Sequence, residues 1–425
     1  MERFNDLRNY LDNAHSVFHA TALIVEKLEN AGYKRLKETN EWTLIPGGKY
    51  YVTRNDSAVI AFRVPVGAPK GFLFSASHTD RPCFKVKENG VQVNAYTRLM
   101  VERYGGVILS TWMDRPLSVA GRVMVETENG VQSKLIDFDR DLLLMPNVAP
   151  HWARSNPNYQ WNVAVDNIPL LGSKEAADKF WAELESLAGG KVVGHDLYLY
   201  IRQKSSVWGL ENEFFSAPAI DDLECAWGCT CGFLEAKATS NIPVLCVFDN
   251  EEVGSGSYQG AAADFLQSAT IRICEALNLD ARRMMPKSFM VSADNGHATH
   301  PNHPEYADAA NTCIVNGGVV VKFQAEQRYT TDGLSAAIFR KICKNADVPV
   351  QTYCNRADMA GGSTLGRVSI SQVAVPSIDI GMAQLAMHSC YETAGVQDAI
   401  YLADAMKAYY GAELDFDGEG NWQIA

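Results

Sequence analysis

The feature that most constrains this chain is a recurring pairing of a short, uninterrupted apolar run with a longer stretch of helical periodicity. Apolar runs stand at 58–64 and 71–77 and, after a long interruption, at 243–249, 288–293, 319–323 and 378–380. They are short and well bounded, as strands of a buried sheet are. Amphipathic segments lie between and around them. Val17, Thr21, Ile24 and Leu28 recur at i, i+4, i+7 and i+11 on one helical face. Further helices are predicted over 223–237, 262–277, 335–345 and 397–411. Strands alternating with helices predict an α/β fold, a three-layer α/β/α arrangement around a mixed, mostly parallel central sheet.

The interruption has a different texture. From about 88 to 213 the segments are short and alternating, rich in Gly, Asn and Pro, with helical periodicity only around 174–187. A mainly β insertion is predicted there, dividing the chain into a discontinuous domain of 1–88 with 214–425 and an inserted domain of 89–213. The length of 425 residues suits two such units. Acidic residues exceed basic ones, 50 against 38, for a net charge of −12, which argues against nucleic acid or an anionic membrane as partner. The longest apolar stretches, such as Ile242–Phe248, fall far short of the ~18–20 residues of a membrane span. Residues 1–30 carry charges throughout, so no signal peptide is expected. The ten cysteines lack framework spacing and predict buried free thiols of a cytoplasmic protein.

Five segments stand at strand ends or loop–helix junctions, where α/β sheets place their ligands. They are Ser77-His-Thr-Asp80, Ile220-Asp-Asp-Leu223, Asp249-Asn-Glu-Glu-Val-Gly-Ser255, Ser292-Ala-Asp-Asn-Gly-His297 and Ala386-Met-His-Ser389. Taken alone, Asp221-Asp222 reads as a helix N-cap with first-turn charge, and a lone His after a strand reads as structural. His78-x-Asp80 shifts that balance, because a carboxylate can fix the tautomer of a metal-binding imidazole. Glu251-Glu252 place two charges at the edge of a core, which is costly unless a cation neutralises them. Asp294, after another apolar run, repeats the situation. Two His, two Asp and a Glu pair supply five ligands of the kind zinc takes, with one Glu left over as a base. His297, His300 and His303 do not make a further site, because Pro301 and Pro304 break any helical ligand face.

These segments, in this order and spacing, resemble the aspartyl aminopeptidase family of dinuclear zinc exopeptidases. The likeness extends to Tyr104-Gly-Gly, Ser110-Thr-Trp-Met-Asp-Arg115, Gln327-Arg-Tyr329, Gly362-Ser-Thr364 and Gln384-Leu-Ala-Met-His388, and so covers nearly the whole chain. The resemblance implies two Zn²⁺ per subunit, with Co²⁺ or Mn²⁺ as substitutes. Asp221 would bridge them, His78 and Asp294 would complete one position, and Glu252 and His388 the other. Glu251 would be the general base and Asp80 the residue orienting His78, and the Asp221–Asp222 peptide would be cis. His297 and Lys322 would hold an acidic P1 side chain, with Gly362 and Met387 bordering the substrate. The inserted domain would mediate dimerisation, the dimers would assemble into a tetrahedral dodecamer, and His151 would reach a neighbouring subunit's active site. Substrates would be peptides with a free N-terminus. Asn250, Ala357 and Arg367 stand where relatives carry His, Asn and Pro. The latter two lie near the 362–364 loop and bear on substrate preference, not on the ligands. Rival readings are a neutral or leucine-preferring aminopeptidase, a carboxypeptidase or amide deacylase on the same kind of sheet, and a non-catalytic shell or cargo protein. A glycosidase is excluded, because adjacent Glu251 and Glu252 cannot flank a sugar ring ~5–9.5 Å apart.

Overall fold

The computed structural model describes residues 2–153 and 160–425. Its largest sheet has nine strands, in the order Lys34–Arg35, Lys49–Arg54, Ala58–Arg63, Ile242–Phe248, Phe72–His78, Phe289–Ala293, Ser377–Gly381, Val319–Phe323 and Val350–Cys354. Five of its eight pairings are parallel and three antiparallel, so the sheet is mixed and mostly parallel. Its central strands read as unbroken apolar runs because both faces are covered. On Phe72–His78, Leu73 enters one core while Phe72, Phe74 and Ala76 enter the other. On Ile242–Phe248, Leu245 and Val247 oppose Ile242, Val244, Cys246 and Phe248 in the same way.

Helices Glu2–Asn13, Val17–Asn30, Ile220–Glu235, Gly333–Asn345 and Val396–Tyr410 build the first core. Phe265–Ala276 and Leu365–Gln372 cover the opposite face. This is the predicted three-layer arrangement. The sequence reading does not place the strands Lys49–Arg54 and Val350–Cys354. Val350–Cys354 lies at the sheet edge with all five residues half-buried, and such a strand need not be apolar.

A second sheet of six antiparallel strands occupies Cys83–Ile201. Phe180, Leu184 and Ala188 of helix Ala177–Ala188 join its separate core. The ten cysteines are all free. Among the described residues no helix is long and apolar enough to cross a membrane.

One close approach fixes where the site's longest helix lies. Gly228 and Gly232, one turn apart on Ile220–Glu235, face Val396–Tyr410. A Cβ at Gly232 would sit 2.5 Å from the Met406 Cβ and 2.6 Å from the Lys407 backbone nitrogen. Backbone cannot yield as a side chain tip can, so Gly232→Ala forces the two helices apart. This overpacking is expected to cost about 1–3 kcal/mol of stability, read as a lower urea midpoint. An unchanged midpoint would show that the helix pair is loosely seated.

Candidate metal centre

The five segments singled out in the sequence meet at one edge of the nine-stranded sheet. His78 ends the strand Phe72–His78 and pairs in register with Phe248 of the parallel neighbour. Past Phe248 the chain passes through Asn250 at φ 61° into the single turn Glu251–Val253. Gly254 at φ 96° and Ser255 at φ 59° then turn it away. Asp294 follows strand Phe289–Ala293, and its amide bonds to the Ile380 carbonyl at 3.0 Å. Asp221 and Asp222 open the helix Ile220–Glu235, and His388 lies in the loop before strand Glu392–Gly395.

These residues form three overlapping groups whose ligand-capable atoms lie within 4.8 Å of one another: His78 with Asp221, Asp222 and Asp294; His78 with Glu251 and Glu252; and Asp221 with Glu252 and His388. The His78 Nε2 stands 3.8 Å from Asp221 Oδ1, while the His388 Nε2 is 3.5 Å from both Asp221 Oδ2 and Glu252 Oε2. The peptide joining Asp221 to Asp222 is cis. The N-cap reading of this acidic pair is corrected. Asp222 Oδ2 accepts the His78 amide at 3.1 Å, and Asp222 Oδ1 and Asp221 Oδ1 are buried without a hydrogen-bond partner, so none of these oxygens caps the helix.

Two carboxylates organise the surroundings. Asp80 lies beside His78, with its Oδ1 3.3 Å and its backbone oxygen 3.1 Å from the ring Nδ1. A proton on Nδ1 leaves Nε2 as the lone-pair nitrogen facing Asp221. Asp80 also accepts the amides of Glu251 at 3.0 Å and Glu252 at 3.1 Å, and the Tyr104 hydroxyl at 2.7 Å. Asn250 donates to that hydroxyl at 2.8 Å. Asp80 thus fixes the Glu pair as well as the imidazole. Glu392 is the second. It is fully buried and accepts the Asp221 amide at 2.9 Å and the His388 amide at 2.7 Å. Asn295 completes the frame: its amide nitrogen donates to the Ile220 carbonyl, Glu224 and Gln384, and its side-chain oxygen accepts the Met382 amide. Sequence reasoning did not reach Glu224, Asn295 or Glu392 as site residues. Glu392, four residues past His388 in a short strand, offers no spacing signal. Asn295 and Gln384 fall inside quoted motifs, and Gln384, a polar residue between Ala383 and Leu385, was the one with an available clue.

The electrostatics follow from burial. Burial, with Asp294, Asp80 and Asp221 nearby, pushes the Glu251 carboxyl up to about 8 despite the opposing influence of His78. Burial likewise holds Glu252 and Asp222 far above the carboxylate range, and raises Asp294 to about 6 against the charge of Lys322. Burial also works against ionising Asp221, but the His388 hydrogen bond and the His78 charge bring it below its ordinary value. Asp221 Oδ1 is buried with no hydrogen-bond partner. A bare carboxylate oxygen among two imidazoles and further carboxylates is a donor set that zinc fits. His78, Asp221, Glu252, Asp294 and His388 could all contribute to holding it.

The remaining predicted residues lie around this cluster. Lys322 does not snorkel: it is 2% exposed, its Nζ donates to the Asn295 carbonyl at 2.9 Å and lies 5.5 Å from the Tyr329 ring centroid. His297 and Gly362 line a cavity of about 390 Å³ together with His300, Arg356 and Ala386. Met387 is half-buried beside His388. His151 stands exposed on the short helix Pro150–Ala153 and is not among the residues gathered in the cluster.

Residues 10–410 match the aminopeptidase I zinc metalloprotease (M18) family. A probable M18 family aminopeptidase 2 of Clostridium novyi is 39% identical, over 96% of this chain and 98% of its own length. A chain in the solved complex of Ape4 and Nbr1 superposes with a TM-score of 0.92 at 32% identity, over 96% of this chain and 85% of that one. The S. cerevisiae mApe1 dodecamer gives 0.85 at 23% identity, over 96% of both chains, a likeness of fold.

The raised carboxyls give a signed expectation for the metal-free protein. Groups whose folded pKa lies above the unfolded value of about 4 stabilise the fold at low pH and lose that contribution as pH rises through the folded values. For Asp294 and Glu251 those values are about 6 and 8. The melting temperature of chelator-treated protein should therefore fall between about pH 4 and 8, and zinc added at pH 8 should restore it. A melting temperature indifferent to both pH and zinc would contradict this account of the cluster.

Proposed function

The chain belongs to the aminopeptidase I zinc metalloprotease (M18) family, and we propose that it releases N-terminal residues, Asp and Glu foremost, from peptides at a centre holding two zinc ions. The single observation that carries this reading is the overlap of the three ligand groups on Asp221, His78 and Glu252. One group contains His78, Asp221 and Asp294, and another contains Asp221, Glu252 and His388. Asp221 is common to both and is assigned as the bridge. Asp222, which the resemblance leaves outside the ligand set, supports its neighbour instead: its Oδ2 accepts the His78 amide. A retired, non-catalytic shell would not be expected to keep the whole set together.

Bound zinc supplies Lewis acidity, polarising the scissile carbonyl and acidifying the attacking water. Glu251 is the residue free to move the proton. Among the described residues its carboxylate makes no hydrogen bond, while its backbone amide is pinned to Asp80. It takes a proton from the water as the new C–O bond forms and returns it to the leaving amine nitrogen as the C–N bond breaks. The surplus of carboxylates draws in the substrate's free α-ammonium group. Lys322 is held protonated: burial opposes its charge, but Asp294, Tyr329 and Asp379 together outweigh that effect. With His297, it is assigned to the acidic side chain of the residue released. Gly362 and Met387 border the peptide.

The second sheet, most of it within the insertion at 89–213, is assigned to subunit pairing, and the pairs to a tetrahedral dodecamer in which His151 serves a neighbouring site. A related fold is solved as a dodecamer. Free cysteines throughout suit a reducing, cytoplasmic compartment.

Glu251→Gln is expected to retain zinc and lose about 10²–10⁴-fold in kcat on Asp-Ala-Ala and Glu-Ala-Ala, with N-acetyl-Asp-Ala-Ala, which lacks a free N-terminus, uncleaved by either protein. Surviving activity would place the base elsewhere. Preference of the wild type for Leu-Ala-Ala would discard the Lys322/His297 assignment and keep the mechanism. His151→Ala should leave the sedimentation coefficient of a dodecamer intact while lowering kcat, and a monomeric wild type would overturn the assembly reading.

A further inference from the structure

Asp221 and His388, 167 positions apart in sequence, are tied together by one side chain that faces neither solvent nor substrate. Glu392 is 1% exposed and sits on strand Glu392–Gly395, paired with Ala217 of the neighbouring strand. Its two oxygens take two different backbone amides: Oε2 that of Asp221 at 2.9 Å, and Oε1 that of His388 at 2.7 Å. Gln384 lies 3.5 Å from Oε1 and is itself held by Asn295.

The other proposed ligands do not depend on this contact. His78 ends a central strand and Asp294 follows another, each placed by sheet hydrogen bonds. His388 lies in no strand, and its only backbone–backbone hydrogen bond among the described residues is its carbonyl accepting the Ile108 amide at 3.1 Å. Its backbone is in the left-handed region at φ 67°, as is that of Ala386 at φ 57°, a conformation that non-glycine residues hold only when their surroundings enforce it. Its ring is 30% exposed and is tethered through Nδ1 to the Gly106 carbonyl at 3.1 Å.

The geometry points to Glu392 as a positioning residue for one of the two metal positions: its carboxylate sets the separation of Asp221 from His388, and through it the affinity of the position that His388 serves. This rests on the two-zinc reading above. A carboxylate is required because two N–H donors converge on it. Glutamine has one acceptor oxygen and would turn an NH₂ group towards the second amide, while aspartate is one methylene too short to reach both.

The test uses full-length wild type, Glu392→Gln and Glu392→Asp, each loaded with zinc and dialysed against chelators of graded strength. Zinc per chain is read by elemental analysis and folding by far-UV circular dichroism. The wild type should hold two zinc ions. Both variants should keep the wild-type spectrum and one zinc ion at wild-type affinity, with the second held at least tenfold more weakly. Variants that retain both ions like the wild type, or lose both together, overturn the inference. So does the failure of both variants to reach the wild-type spectrum, since Glu392 would then be a general element of the fold. The wild-type arm judges the two-zinc reading separately: fewer than two ions there refutes that reading and removes the position that Glu392 would serve.

Discussion

Mutual repulsion among buried carboxylates is the constraint that the rest of this structure serves. Asp221, Asp222, Glu251, Glu252 and Asp294 lie in overlapping groups only a few ångströms across. Two like charges 4 Å apart repel by about 4 kcal/mol at the effective dielectric of a protein surface, against a total stability of about 5–15 kcal/mol for a typical domain. Several such pairs cannot be ionised together without compensation. The fold compensates in two ways. Backbone amides and a hydroxyl are aimed at Asp80 and Glu392, so that the framing carboxylates are solvated by the chain itself. The central oxygens, including the bare Asp221 Oδ1, are left for a cation.

Parallel strands make this crowding possible. Phe72–His78 lies between Ile242–Phe248 and Phe289–Ala293, parallel to both. His78, the Glu251-Glu252 turn and Asp294 therefore emerge at the same edge of the sheet, although more than 200 residues separate the first from the last. The strand Val319–Phe323, antiparallel to Ser377–Gly381, brings in the one lysine buried among the described residues. Lys322 reaches the Asn295 carbonyl, next to Asp294, and supplies permanent positive charge at the rim of a negative cluster.

The fold was legible where burial leaves an apolar run, and illegible where it does not. Phe72–His78 and Ile242–Phe248 are covered on both faces and read directly as strands. Val350–Cys354, half-buried along its length, does not. Asp221 and Asp222 show the limit of local reading. Two acidic residues before a helix have an ordinary explanation as a cap, and only the return of His78 and His388 to the same place distinguishes them. His78, Glu251, Glu252, Asp294 and His388 were recoverable because motif and resemblance named them. Glu392 was not, since its role consists of two backbone amides distant in sequence from one another, and an amide carries no residue-specific signal.

The second sheet is not an appendage to this chemistry. Tyr104 ends one of its strands and donates to Asp80. The next two residues are glycines because the site presses against them. A Cβ on Gly105, at φ 71°, would lie 3.1 Å from the Glu252 Cβ, and one on Gly106 would lie 3.0 Å from His388 Nδ1. The Gly106 carbonyl tethers that same ring. Arg122 of the second sheet bonds to Asn55 beside the first, which fixes the two sheets against each other at a second point. A displacement of the second sheet would reach Asp80, Glu252 and His388 through van der Waals contact and single hydrogen bonds. Whatever holds this sheet in place therefore holds Asp80, Glu252 and His388 in place too.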